Sequence, residues 1–558
     1  MKSFLKLCVL GAFVVATAAA QPKVTALVNN YGNILPGLPN YGIAQGSLFV
    51  IYGSGLANTT TTLQSVPLQT TLSGVTINVT VSGSTVACPI YFLSPGQIDA
   101  ILPSSTPVGT GTITVTNNGT ASATAPIKVV QSAFGLLTLN GAGSGPAAVF
   151  NANNGNAYLG ATAAANAGDT IILWGTGLGP VTGDETKVQT QTDLTNIPIE
   201  VDIGGVKAAV AYHGRSQFPA LDQINVVVPA GVTGCSVSVV VVTGSYVSNF
   251  STIPVATTGR VCSDVVTTGV TNSALQTLLS KGTFSLGFVN ISKTTIVSAP
   301  ITIGGTTIGG NSTTDDGSGA FYKYTAAQFA ATSAFGQQAS IGSCVVYTYS
   351  GSSGTVTNPI LPTQLNAGPS INVNGPNGTK SMPFQSGLYF AILGGGSGAS
   401  ALPIFIPDSG GTFKFDNGSG GPDVGGFTAQ ISLAAPLVWS NIDSISTIQR
   451  TQGVDVNWTG GDANTYAQIT GASIQTSPAL GGIFICSAPV SAHTFHVPSA
   501  VLLALPPSSV ISAGGINIST SSLSVGNYTN PIQFNAPGVD LAFVSASATS
   551  TKSGVIFQ

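Results

Sequence analysis

Apolar and polar residues alternate in short runs along most of the chain. "VTINVTV" (75–81) and "TITVTNN" (112–118) put every second side chain on one face, the period of half-buried strands. "SVSVVVV" (236–242) ends in a continuous apolar run, so this strand is expected to lie deep or against a neighbour. Clusters of Gly, Pro and Asn separate the runs; Asn117-Asn118-Gly119 and Thr243-Gly244 are placed as hairpin turns, where positive φ is tolerated. A helical period is carried only by "SALQTLLSKG" (273–282) and, more faintly, "YTAAQFAATSAFG" (324–336). The pattern predicts an all-β chain: tandem immunoglobulin-like β-sandwiches, then further β-rich domains with one or two short helices.

Two strand-like runs break at paired glycines, "SLFVIYGSGLA" (47–57) and "TIILWGTGLGPV" (170–181). Their flanks also correspond. Gly53 and Gly175 are 122 residues apart, and Gln97-Ile98-Asp99 precedes Gln223-Ile224-Asn225 by 126. The difference of four fits an insertion in the polar stretch "TGDETKVQTQT", so one unit of roughly ninety residues is duplicated. A glycine turn after a strand invites a phosphate-loop reading. That chemistry needs N–H groups converging at a helix N-terminus, with a lysine or a downstream acid in a βαβ frame. Here strand follows strand and no lysine is near, so the glycines are read as bends or bulges.

"GSLFVIYGSGLA", "SPGQIDAILP" and "AGDTIILWGTGLGPV…VDIGG…DQINVVVP" resemble the IPT/TIG-type immunoglobulin-like tandem repeats of uncharacterised secreted proteins of soil bacteria. The likeness covers about 41–256, with a fainter one to the β-rich C-terminal regions of the same group. It implies a sandwich fold and a modular extracellular setting, and it supplies no catalytic residues. The expected organisation is a signal peptide (1–20), an N-terminal linker (21–40), repeat 1 (41–131), a connector (132–165) and repeat 2 (166–257). Beyond these come a small mixed domain (258–360), a β-rich domain (361–434) and a C-terminal sandwich (435–558).

The leader changes the compartment. Lys2 and Lys6, the apolar Leu7–Val15 and Ala18-Ala19-Ala20 form a secretory signal with cleavage expected after Ala20. No later stretch has the apolar length of a transmembrane helix, so the mature chain is expected to be secreted or at the cell surface, or periplasmic. Only 6% of residues are charged, and the net charge of −3 becomes −5 once the two leader lysines go. Without a basic stripe, nucleic acid lacks its electrostatic footprint. Five cysteines remain and none forms a CxxC pair, so in an oxidising compartment the expected pairs are Cys235–Cys262 and Cys344–Cys486, with Cys88 a buried thiol.

Candidate chemistry is sparse. Glu185 and Glu200 are the only glutamates. "TTDDGSGAF" (313–321) and "FDNGSGGPDVGGF" (415–427) are acid-bearing glycine loops, which makes Asp315, Asp316, Asp416 and Asp423 candidate Ca²⁺ ligands, although neither has EF-hand spacing. His493 and His496 are three apart, on opposite faces of a strand, and complete no metal site. His213 and Arg215, read as a loop insertion of repeat 2 together with Asp222, are candidate ligand contacts. Trp174, Trp439 and Trp458 read as strand residues; Trp174 matches Tyr52 and is expected to pack, while Trp458, beside a turn in "NWTGG", is the candidate ligand platform. No Gly-x-Ser-x-Gly elbow stands in a strand–turn–helix setting. No catalytic residue, metal or cofactor is assigned. The expected function is non-enzymatic: adhesion, binding or spacing, with an extracellular protein or polysaccharide as partner. Carbohydrate binding is the alternative, and a hydrolase with its site in 258–558 the third reading.

Overall fold

The computed structural model describes residues 21–558 apart from 62–64, 189–192, 299, 304–305, 332–337, 352–361, 397–400 and 514–515; the signal segment 1–20 lies outside the described residues. The chain is all-β, with a few short helices.

The duplication is visible strand by strand. In the first sandwich one sheet runs Lys23–Asn29, Leu48–Ser54, Gln97–Ile101, Ile90–Leu93; in the second, Val149–Asn151, Thr170–Thr176, Asp222–Val227, Ala209–Arg215 hold the same places. The facing sheets also agree: Ile43–Ala44, Ala125–Val130, Gly109–Asn117, Val75–Val81 against Ala165–Asn166, Ser251–Ala256, Gly234–Thr243, Ile199–Ile203. Alternation drives each closure. Phe49, Ile51, Ile77, Val79 and Ile98 fill the first core, and Ile171, Leu173, Val201, Ile224 and Val239 the second. Each such side chain contributes about 1.5–3 kcal/mol on leaving water. Asn118 and Gly119, both at positive φ, join two paired strands as a two-residue turn.

Among the described residues, neither glycine pair leads directly into a helix. The cause is close approach as much as bending: a Cβ on Gly53 would stand 2.1 Å from the Lys23 carbonyl oxygen, and one on Gly175 would stand 2.1 Å from the Phe134 ring. The bulge lies in the partner strand, between Val24 and Ala26.

Several expected boundaries shift. The segment placed as a linker carries the strand Lys23–Asn29, and the connector carries four strands of two or three residues and the start of a fifth, too short to show a period. From 258 onward, the three expected units share a single sheet. Thr283–Val297 pairs in parallel with Leu541–Ser553, joining Leu286 to Leu541 and Val297 to Lys552, so the boundaries at 360 and 434 do not divide this body. "TTDDGSGAF" is the middle of the strand Ser312–Thr325 rather than a loop. Its glycines make room: a Cβ at Gly317 would meet Met382 Sδ at 2.5 Å, and one at Gly319 would meet Ile371 at 3.2 Å.

The predicted helix is Asn272–Ser280, with the Thr271 side chain accepting from the Ala274 N–H at 3.3 Å. Thr271→Ala is expected to lower the stability of this segment by about 1 kcal/mol, read by hydrogen exchange of the first turn. The fainter helical stretch gives Ala326–Ala331; its remainder from 332 lies outside the described residues. Disulfides join Cys235 to Cys262 and Cys344 to Cys486, and Cys88 is a buried thiol whose pKa burial pushes up. Cys344 and Cys486 stand opposite each other on paired strands.

Candidate functional site

Of the candidate contacts, Arg215 is withdrawn from any ligand. It is 1% exposed and forms an ion pair with the fully buried Asp222. Its second terminal nitrogen donates at 2.9 Å to the carbonyls of Gly46, in the first sandwich, and Gly179, in the second. Asp222 also accepts from the Gly177 and Leu178 N–H groups at 2.7 Å. Burial pushes the Asp222 carboxyl up, and Arg215 with these two N–H groups opposes it. Glu185 adds a second link, accepting from the Ser104 N–H and hydroxyl at 2.7 and 2.6 Å. These residues clasp the two repeats. His213 belongs to the strand Ala209–Arg215 rather than to a loop insertion, with Nε2 at 3.1 Å from the Ile197 carbonyl.

Trp458 is likewise no platform. It is 1% exposed, and its indole N–H donates to the Val490 carbonyl at 2.8 Å. Gly460 ends its strand and is exposed, while Trp458, two residues earlier, is buried. Trp439 stands directly opposite and is buried too.

The four aspartates are not part of any metal-binding group among the described residues. Asp315 is buried and accepts from the Phe405 and Ile406 N–H groups at 2.6 and 2.9 Å. Asp316 stands next to it on the strand, half-buried, its pKa raised by burial and by Asp315. Asp416 accepts from the Gly418 N–H at 2.7 Å, and Asp423 from the Asn366 N–H at 2.8 Å. Among the described residues, no three His, Cys, Asp or Glu side chains form a group that could hold a metal ion.

Two other places have the shape of a site. A groove runs between the second sandwich and the C-terminal body as adjoining hollows of about 180 and 510 Å³, both lined by Asp202, His496, Pro498 and Ala500. His496 Nδ1 is 2.7 Å from Asp455 Oδ1, which orients the ring. Burial and then the charge of Glu200 push the Asp202 carboxyl up, against the pull of Lys207. Ser499 lines the wider hollow, yet no hydrogen bond joins it to His496. His493 precedes the strand of His496 and caps a short turn.

The other place is the outer face of the second sandwich. Ile171 and Leu173 point into the core, so Trp174 points outward, half-buried instead of packed inside. The Phe150 ring lies 5.9 Å from that of Trp174, edge to face, and 4.2 Å from that of Tyr158, which is 57% exposed. Gln223 stands opposite Trp174 in the next strand and donates to Asn225 Oδ1 at 2.8 Å. The first sandwich holds the same device in Tyr52, Gln97 and Asp99, with Gln97 donating to Asp99 at 2.8 Å. The sequence signal was the repeated Gln-Ile-Asx itself. Its partner rings sit in strands too short to be foreseen.

Salt bridges occupy the joints of the C-terminal body as well. Lys281 meets Asp540 at 2.5 Å, and the Ser285 N–H donates to the same carboxylate at 2.7 Å. Burial raises the Asp540 pKa, but Lys281 and Ser285 outweigh it and hold the carboxyl below its ordinary range. A depressed acid contributes stability above its unfolded pKa and loses it as pH falls through the folded value. Lys281→Met is therefore expected to move the acid-unfolding midpoint to higher pH, measured by circular dichroism.

No protein-family model and no curated protein matches the chain. Among solved structures, it is similar to the plexin A4 extracellular region at 14% identity, covering 42% of this chain and 19% of that one, with a TM-score of 0.16. It is similar to SGBP-B of a Bacteroides ovatus mixed-linkage glucan utilization locus, in complex with a mixed-linkage heptasaccharide, at 12% identity, 51% and 66% coverage and a TM-score of 0.20. Domains 5–6 of the S-layer protein SbsC align at 13% identity, 42% and 99% coverage and a TM-score of 0.15. Likenesses this partial carry no function over to this chain. Among the described residues, no helix is long and apolar enough to cross a membrane.

Proposed function

We propose that the chain is a secreted, non-catalytic surface protein in which a tandem IPT/TIG-type pair and a larger β body act as one rigid adhesive or spacer unit. One observation carries this reading. In a chain with 6% charged residues, all three arginines are held by partners within the chain, two of them where the second sandwich meets its neighbours. Arg215 clasps the repeats, Arg260 pairs with Asp169, and Arg450 donates to the Leu505 carbonyl at 2.9 Å. Charge spent on rigidity suits a part that holds position, because ordered joints between units are what a spacer requires.

The partner is an extracellular protein or a polysaccharide, and the exposed ring of Tyr158 favours the latter. Binding of the purified chain to immobilised matrix proteins and polysaccharides, beside a panel of ester, glycoside and peptide substrates, tests the reading. Retention without turnover is the expected result. Turnover abolished by His496→Ala would replace it with a hydrolase working in the groove.

A further inference from the structure

We infer that the outer face of the second sandwich, built on Tyr158, Phe150 and Trp174, is a binding platform for a neutral polysaccharide. The inference rests on the reading of the chain as an extracellular binding protein and adds the ligand class and the place.

Three features of the face converge on that ligand. The rings form a row fixed by strand pairing, Phe150 being in register with Tyr158 on one side and Ile172 on the other. Rigid aromatic side chains lose little conformational freedom on binding. Their electron-rich faces accept the C–H face of a sugar ring, while apolar area leaves water. Beside them, the Gln223–Asn225 bond spends one amide N–H and one carbonyl. That leaves the Asn225 N–H groups and the Gln223 carbonyl for sugar hydroxyls, which both donate and accept. The Trp174 indole N–H is buried and without an acceptor among the described residues.

Charge selects among glycans. The outward residues of this sheet are Tyr158, Phe150, Trp174, Gln223, Asn225 and Tyr212 with their small and aliphatic neighbours, and none is an Asp, Glu, Lys, Arg or His. A cationic or anionic polymer finds no counter-charge there; a neutral one needs none. The first sandwich is the internal comparison. It has Tyr52, Gln97 and the acid Asp99, but the strand carrying Tyr158 has no counterpart there, and Val50 of its outer row is only 2% exposed. The paired Gln and Asx are thus common to both copies, whereas the aromatic row belongs to the second.

The test is affinity electrophoresis of the full chain in gels containing mixed-linkage β-glucan, hydroxyethyl cellulose or dextran, with alginate as the anionic control. At least one neutral polymer is expected to retard the chain, and alginate is not. Tyr158→Ala, an exposed position that leaves the core untouched, and Trp174→Ala are each expected to weaken retardation at least tenfold with an unchanged melting curve for Tyr158→Ala. Retardation that survives both substitutions overturns the platform and leaves the extracellular-binding reading standing. No retardation by any neutral polymer overturns the platform as well, while retention on matrix proteins would still uphold the broader reading.

Discussion

Arg215→Ala is expected to destabilise the paired sandwiches by about 3–5 kcal/mol, the cost of removing one partner from a buried ion pair. The guanidinium bridges units: its contacts reach Gly46 on one side and Gly179 and Asp222 on the other. Alanine leaves the Asp222 carboxylate buried without its counter-charge, accepting only from two backbone N–H groups. The deficit has a pH signature. With Arg215 gone, burial is less opposed and holds the folded-state pKa of Asp222 above its unfolded value. An acid with a raised folded pKa contributes stability below the unfolded pKa and loses it as pH rises through the folded one. The Arg215→Ala deficit is therefore expected to be smaller at acid pH than at neutral pH, in calorimetric melts of the full chain. Replacing both partners with apolar residues, Arg215→Met with Asp222→Leu, is expected to recover much of the loss. An unchanged melt for Arg215→Ala at neutral pH would show that the clasp contributes nothing.

What the residue pattern revealed, and what it hid, divides along sequence distance. The two sandwiches were legible because each strand carries its own alternation and because two copies vouch for each other. The run "SVSVVVV" reports both of its faces. Val239 and Val241 enter the sandwich core, and Val240 enters the core of the C-terminal body. The shared sheet beyond 258 was not legible, because nothing local in "TFSLGFVNISKTTIV" announces a parallel partner at 541–553. Parallel pairing across so long a crossover leaves no turn signature. Glycine misled in one direction: at 317 and 319 it serves close packing inside a strand, and composition alone reads it as a loop.

The site residues follow the same division. Arg215 and His213 stand out in the sequence as polar residues near Asp222, but it is burial, not proximity, that makes Arg215 hold the repeats together. Its match to Tyr52 places Trp174 among the residues expected to pack. The structure turns both side chains outward, Tyr52 being 38% exposed, since each alternates with core residues on a strand whose other face is filled. The equivalence was right, and the face it implied was the opposite one.

Trp458→Ala is expected to destabilise the C-terminal body by about 3–5 kcal/mol, through the cavity left by one of the two largest side chains of its core. The ring is enclosed with Trp439, Phe484 and Val490, and its loss also leaves the Val490 carbonyl without its 2.8 Å donor. Trp458→Phe keeps most of the volume and gives up the hydrogen bond, so a smaller loss is expected, about 1–3 kcal/mol for the orphaned acceptor. Denaturant unfolding followed by intrinsic fluorescence in a Trp174→Phe background reads this body selectively, because every remaining tryptophan is then buried in it. The same pair of variants separates packing from recognition. If Trp458 only packs, polysaccharide retention by Trp458→Phe equals that of the parent chain, and any loss in Trp458→Ala follows the unfolded fraction. Retention lost in Trp458→Phe with the fold intact would move the ligand from the second sandwich to the C-terminal body, against the burial that now encloses this ring.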